Sequence, residues 1–318
     1  MRCAICSNEK NNERLSIKEM MLGFRDRFDY FKCNDCGCIQ IEKVPDNLGH
    51  YYPASYYSYQ SGTTKPSRKL IDYLMFNYYS GYRRTIVGSV LSKKHTSADF
   101  HSWFGNMGIS NRKTKILDVG CGGGELLKRI YAAGFTNCTG IDPFNEKDVS
   151  YSSSFKILKQ EIAEHAGKYD LVMLHHSLEH MPFQEQVIQK ISSLLAPNGK
   201  ALIRIPIYSE PLMEKYGMNL VSLDAPRHLF IHSIQSIERL LAKNHFKVNK
   251  KVYDAKAFSF TASEQYKMDI SMYNDDRSYY LNNKDLFPPE VIKEHQQAIR
   301  ILNKDEKSDT VCLYITKA

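Results

Sequence analysis

The run ILDVGCGGGELL, residues 116–127, constrains this chain more than any other part of it. An apolar stretch ends in a glycine cluster, and a helix-forming stretch follows at once. The backbone there has to turn sharply and leave room for a group to come close. Glycine tolerates positive φ without penalty and has no Cβ to obstruct an approaching ligand. Asp118, Gly120, Gly122 and Gly124 give the spacing DxGxGxG. The pattern predicts a buried strand, a ligand-facing turn and a helix in direct succession.

From residue 115 onward strand and helix patterns alternate. CTGID, FKILK, YDLVMLH, KALIRIP, FKVNKKVYD and the late TVCLYITK read as further strands, and GELLKRIYAAG, FQEQVIQKISSLLA and SIQSIERLLAKN as helices. Such alternation predicts a largely parallel sheet with helices on both faces. Ahead of it, residues 1–60 are rich in Cys and Tyr and end in the aromatic cluster YYPASYYSYQ. SGTTKPS has linker composition. Apolar residues from Lys69 to about Lys93 fall at helical spacing, and residues 94–112 are polar and loop-like. The expected organisation is a module at 1–60, a helical linker at 61–112, a main α/β domain at 113–254, and a C-terminal extension at 255–318 that supplies the last sheet strand.

The ligand of the glycine turn follows from its neighbours. A dinucleotide fingerprint, GxGxxG, counted from Gly120 needs glycine at position 125, where this chain has Glu125. A carboxylate there would repel a pyrophosphate. Asp118 closes the first strand and suits a ligand with an ammonium group, and Asp142, at the end of the next strand, suits two ribose hydroxyls. Residues 115 to about 254 resemble the class I S-adenosylmethionine-dependent methyltransferases, whose first motif ILDVGCGGG is similar to. The resemblance implies a Rossmann-like, seven-stranded, doubly wound sheet. It also implies S-adenosylmethionine as cofactor, with Asp118, Gly120, Gly122 and Gly124 around its methionine part, Asp142 on its ribose, and Glu161 and Ile162 flanking its adenine.

Histidines collect where ligands of open α/β sheets bind, beyond the C-terminal ends of the strands. YDLVMLHHSLEHMPF brings His175, His176, Glu179 and His180 to that edge, and DAPRHLFIHS brings His228. His176 and His180, four apart, could pair on a metal if a helix starts there. SLEHMPF, however, is similar to the LEH-type segment of class I methyltransferases, which need no metal at that place. DxPxHL resembles a segment of sugar and small-molecule methyltransferases. The candidate catalytic residues are His180, His228 and His176, as general bases or as packed walls of the site. Residues 207–223 form an insert that could cover the acceptor.

Four of the eight cysteines form two CxxC pairs, Cys3 with Cys6 and Cys33 with Cys36. Two CxxC turns supply four thiolates in a tetrahedron, the arrangement of a structural zinc. YFK and IQIE around the second pair read as strands, so the spacing predicts a zinc-ribbon-like module with a closed Zn2+ site. Cys38 is off the CxxC spacing. The module, together with FSFTASEQYKMDI, resembles bacterial methyltransferases of antibiotic-sugar and surface-glycan pathways.

The expected activity is therefore methyl transfer to a small molecule, foremost a hydroxyl of a phosphate-linked sugar. C- or N-methylation of a nucleotide sugar, and an RNA or protein methyltransferase using the zinc ribbon for substrate, are the alternatives. The net charge of +8, from 43 Lys+Arg and 35 Asp+Glu, suits a phosphate-bearing partner or simply a soluble surface. No basic tract points to nucleic acid. No apolar run long enough for a membrane span is present, and MRCAICSNEK is not a secretory leader, so a cytoplasmic location is expected.

Overall fold

A computed structural model describes residues 1–53, 66–79 and 100–318. The tyrosine cluster from residue 54, most of the expected linker, and the second half of the expected helix at 69–93 lie outside the described residues. The strands are β1 (Glu13–Lys18), β2 (Arg27–Lys32), β3 (Ile39–Ile41), β4 (Lys115–Val119), β5 (Asn137–Ile141), β6 (Val149–Ser152), β7 (Phe155–Leu158), β8 (Tyr169–His175), β9 (Leu195–Pro206), β10 (Phe230–Ile231), β11 (Phe246–Tyr253) and β12 (Thr310–Lys317). The helices used below are α1 (Pro66–Tyr79), α2 (Phe100–Asn106), α3 (Glu125–Ala132), α4 (Gln184–Leu194) and α5 (Ile234–Lys243).

The main sheet has the order β11-β12-β9-β8-β4-β5-β7-β6. Its centre is parallel, from β9 through β8, β4 and β5 to β7. β12 runs antiparallel to both β9 and β11. This is a Rossmann-like mixed α/β sheet, with one strand more than the seven expected. The addition is β6, an edge strand antiparallel to β7. Its sequence VSYS is short and polar with a mostly exposed surface, so it has no apolar alternation to signal it. A second difference lies in residues 94–112, expected to be loop. Residues 100–106 form α2, because Phe100, Trp103 and Phe104 are buried against Phe76 of α1 and Phe135. Three buried aromatics in one short helix outweigh its polar flanks.

The two faces of the sheet are covered differently. Phe76, Phe100, Phe104, Leu127 and Ile130 pack on one face. The other face carries Leu117, Val172, Ile203 and Leu313, together with Ile188 and Ile191 of α4, Ile237 and Leu241 of α5, and also Cys3, Ile5, Phe31, Cys33 and Cys36. The N-terminal segment thus shares a core with the main sheet. The small sheet has the order β1-β2-β3-β10, and its last strand is contributed by residues 230–231. Phe230 pairs with Gln40 and Ile231 with Ile39, both antiparallel.

The same junction holds Arg227, which has no exposed surface. Its Nη2 meets Glu19 Oε1 at 3.0 Å, its Nε meets Asp224 Oδ2 at 3.0 Å, and its Nη1 donates to the Tyr51 carbonyl. Glu19 is equally buried and accepts from the Leu22 and Phe24 amides. Removing one partner of a buried ion pair leaves an uncompensated charge. Arg227→Met is therefore expected to lower unfolding free energy by ~3–5 kcal/mol, measured by urea titration of the full chain.

Candidate active site

The loop after β4 folds back on the end of β5. The amides of Gly120 and Cys121 donate to the Ile141 carbonyl, and the Gly122 amide donates to Asp142 Oδ2 at 2.9 Å. Gly120, Gly122 and Gly124 all have positive φ, at 72°, 52° and 78°. Two of them also lack room for a side chain. A Cβ on Gly120 would stand 2.4 Å from Ser177 Cβ, and one on Gly124 would stand 2.0 Å from Ile157 Cδ1. Ser177 in turn donates to the Val119 carbonyl at 2.7 Å. Tight packing therefore joins the glycine loop to the segment after β8, which carries the histidines.

Two carboxylates lie at the ends of these strands. Asp118 is 3% exposed, and its Oδ1 has no hydrogen-bond partner among the described residues. Burial, with the nearby Asp142 charge second, pushes its carboxyl up to about 8. Asp142 is also buried, which raises it, while the Phe144 and Gly122 amides oppose the rise. Two buried acids with one unpaired oxygen make a site short of positive charge. Glu161 is exposed and Ile162 half-buried, in the turn that follows β7.

The histidines take distinct places. His175 packs against Trp103, with ring centroids 4.9 Å apart. His176 has both ring nitrogens engaged, Nδ1 on Glu179 Oε1 at 3.2 Å and Nε2 accepting from Arg204, which is itself paired with buried Asp254 at 2.8 Å. His180 and His228 face each other with centroids 4.8 Å apart. His180 Nδ1 lies 2.9 Å from the Arg227 carbonyl, and His228 Nδ1 lies 2.8 Å from the Ser222 carbonyl. A carbonyl only accepts, so each Nδ1 donates to its carbonyl, while His228 Nε2 stands 3.8 Å from Asp224 Oδ2. Burial lowers His180 to about 4, with the His228 charge adding to the effect. It is therefore neutral near pH 7. Of the three candidate bases, His180 makes its ring hydrogen bonds through Nδ1 alone, and His228 turns Nε2 toward Asp224.

Glu179 joins them. It is fully buried, its Oε2 is unpartnered among the described residues, and it lies within 4.8 Å of the ligand nitrogens of His180 and His228. This trio could hold a cation. The more compact set is Cys3, Cys6, Cys33 and Cys36, whose sulfurs also gather within 4.8 Å, with contacts of 3.6 Å from Cys3 to Cys36 and 3.4 Å from Cys6 to Cys33. Gln40 Nε2 donates to Cys3 Sγ at 3.2 Å. Cys38 is buried but stands outside the set, with its thiol on the Ile39 carbonyl.

Sequence reasoning missed Tyr52 as a site residue. Its hydroxyl is 3.1 Å from His180 Nδ1, and its ring stacks on Phe144, two residues beyond Asp142. The aromatic cluster was visible, but nothing in it singled out this tyrosine.

Residues 96–251 match the family described as methyltransferase domain. The chain contains an S-adenosylmethionine-dependent methyltransferase domain. The ubiquinone biosynthesis O-methyltransferase of Cronobacter sakazakii is 35% identical over 96 residues, which is 27% of this chain and 39% of that one. Its counterpart from Escherichia fergusonii is 33% identical over 96 residues, 27% of this chain and 40% of that one. The match thus spans about two fifths of the length of these curated relatives. Among solved structures, the magnesium protoporphyrin IX methyltransferase of Synechocystis PCC 6803 covers 86% of this chain and 96% of its own, at 13% identity and TM-score 0.41. A likeness at that score carries nothing further about this chain.

Within the methyltransferase domain, the raised carboxyl of Asp118 has a consequence for stability. A folded pKa near 8 against an unfolded value of 3.8 means that the fold favours the protonated acid. That advantage is complete below pH 3.8 and is lost as pH rises through 8. Asp118→Asn is neutral at every pH. Without ligand, the variant is expected to melt a few degrees above the wild type at pH 8, and the gap should shrink at pH 5. Differential scanning calorimetry at the two pH values checks this.

Proposed function

We propose that this chain transfers a methyl group from S-adenosylmethionine to a hydroxyl of a small molecule, a sugar on a phosphate carrier being the favoured class. The observation that carries the reading is Asp118, a buried acid with an unpartnered oxygen, on a strand end that Ser177 ties to the segment carrying His180, whose ring faces His228.

The donor fits the residues present. S-adenosylmethionine, when bound, supplies an electrophilic methyl on a sulfonium and brings an ammonium group. Asp118 offers its unpartnered oxygen to that positive charge. Asp142 keeps lone pairs for ribose hydroxyls beyond the two amides it already accepts. Glu161 and Ile162 flank the adenine in this reading. Gly120, Gly122 and Gly124 let the backbone come close. Asp142→Ala is expected to weaken S-adenosylmethionine binding by ~2 kcal/mol or more, read by calorimetry, and equal affinities would remove the assignment.

On the acceptor side, a sugar hydroxyl is a poor nucleophile at neutral pH and needs a base in the transition state. His228 or His180 takes the proton on Nε2, and aligning the acceptor oxygen with the methyl supplies much of the rate. Tyr52 and Phe144 offer aromatic faces beside His180 for a ring to pack on. The curated relatives are by name O-methyltransferases, which supports a hydroxyl acceptor. C- or N-methylation of a nucleotide sugar is the near alternative. The decisive assay is a screen of nucleotide- and lipid-linked sugars with labelled cofactor. His180→Ala and His228→Ala are each expected to slow transfer by ~100-fold. If neither does, the histidine base is wrong; if RNA or protein is labelled and no sugar is, the acceptor class is wrong.

The four-cysteine set is read as a structural Zn2+ site, since four thiolates leave no position open for substrate. Purified protein should carry one zinc per chain by elemental analysis. Cys3→Ser with Cys33→Ser should lose it and melt lower, because binding a metal is coupled to folding. A second metal equivalent that survives these changes would point to Glu179, His180 and His228 instead.

A further inference from the structure

The two histidines meet backbone carbonyls through Nδ1, and the N-terminal segment grips the same stretch at the His228 carbonyl and the Arg227 side chain. Ser222 O fixes His228 and Arg227 O fixes His180, both through Nδ1. The stretch from 222 to 231 that carries these carbonyls has few strand or helix bonds of its own. Its attachments run largely to residues before position 53. Tyr30, with no exposed surface, donates its hydroxyl to the His228 carbonyl at 2.8 Å. Glu19 grips the Arg227 guanidinium at 3.0 Å, and the Tyr51 carbonyl accepts from it as well. The Ile41 amide donates to the Leu229 carbonyl at 3.0 Å, and β10 completes the sheet of β3. Ser233 donates to the Cys36 carbonyl, which ties the same stretch to the cysteine set.

We propose that the N-terminal module is a working part of the acceptor site: Tyr30 and Glu19 are positioning residues that hold His228 and His180 in the Nδ1–H form, leaving as the base Nε2 of His180 or that of His228, which stands 3.8 Å from Asp224. This rests on the reading that these histidines take the acceptor's proton. It extends that reading by giving the cysteine module a task beyond stability. Neither Tyr30 nor Glu19 touches the histidine rings. Tyr30 acts through the backbone of His228, and Glu19 acts through Arg227, whose carbonyl meets His180. The tautomer of a ring is set by the hydrogen bond its other nitrogen makes, so displacing a carbonyl by a fraction of an ångström changes which nitrogen is basic.

The test needs no acceptor. The full chain, labelled with 15N-histidine and loaded with zinc, is examined by long-range proton–nitrogen NMR of the imidazoles, assigned with His180→Gln and His228→Gln. Wild type is expected to show two neutral rings protonated on Nδ1. Tyr30→Phe removes one hydroxyl without changing the packing, and Glu19→Gln keeps a carbonyl for the Leu22 amide. Tyr30→Phe should shift the tautomer ratio of His228, and Glu19→Gln that of His180, each by about fivefold, the equivalent of one lost hydrogen bond. For Tyr30→Phe, S-adenosylhomocysteine affinity measured on the same samples should stay within twofold of wild type, and the melting temperature within a few degrees. Should Glu19→Gln not fold, Tyr30→Phe decides. Wild-type rings protonated on Nε2, or variants that fold and leave both rings unchanged, overturn the proposal. Failure of the wild type to bind S-adenosylhomocysteine instead overturns the functional reading and leaves the tautomer result standing.

Discussion

Arg227 lies with no exposed surface between Glu19, Asp224 and the Tyr51 carbonyl, and the junction of the N-terminal segment with the His228 loop is organised around it. A guanidinium cannot shed its charge in a protein, so burying one obliges the surroundings to supply carboxylates and acceptors in fixed directions. Asp224 comes from the same turn. Glu19 comes from the far end of the sequence. The pair therefore fixes the N-terminal segment against the loop carrying His228, and β3 with β10 extends that contact into a shared sheet. The result is one core, in which Cys3, Cys33 and Cys36 pack with residues of the main sheet rather than forming a separate bead.

The opposite side of the site depends on a different constraint, the absence of side chains. Gly120 meets Ser177 and Gly124 meets Ile157 at distances no Cβ could share. The glycine loop is thus wedged between β7 and the turn after β8, which leaves the Asp118 and Asp142 carboxylates at the strand ends with little solvent. Their raised pKa values are the electrostatic record of that burial.

The described residues contain no helix long and apolar enough to cross a membrane. The exposed aromatic Phe144 stands beside Asp142 and stacks on Tyr52, which touches His180. This short chain of contacts links the end of β5 to His180, and it passes through a residue of the N-terminal segment.

The sequence by itself determined the main sheet's strands, the glycine turn and the two cysteine pairs. Each of these is encoded locally, as an apolar run, a spacing of glycines or a CxxC knuckle, and local patterns survive being read one residue at a time. β6 was invisible because an exposed edge strand needs no apolar face, and the helix at 100–106 because its three aromatics matter only once Phe76 and Phe135 surround them. Only the tertiary structure decided which partners each histidine nitrogen meets. His176, His180 and His228 are indistinguishable as letters. Arg204 and Glu179 occupy both nitrogens of the first, while carbonyls of residues 222 and 227 meet Nδ1 of the other two and Asp224 stands 3.8 Å from Nε2 of His228. Likewise Glu19, Tyr30 and Tyr52 acquire their places through contacts to residues more than a hundred positions away, and no spacing in a linear sequence records such a distance.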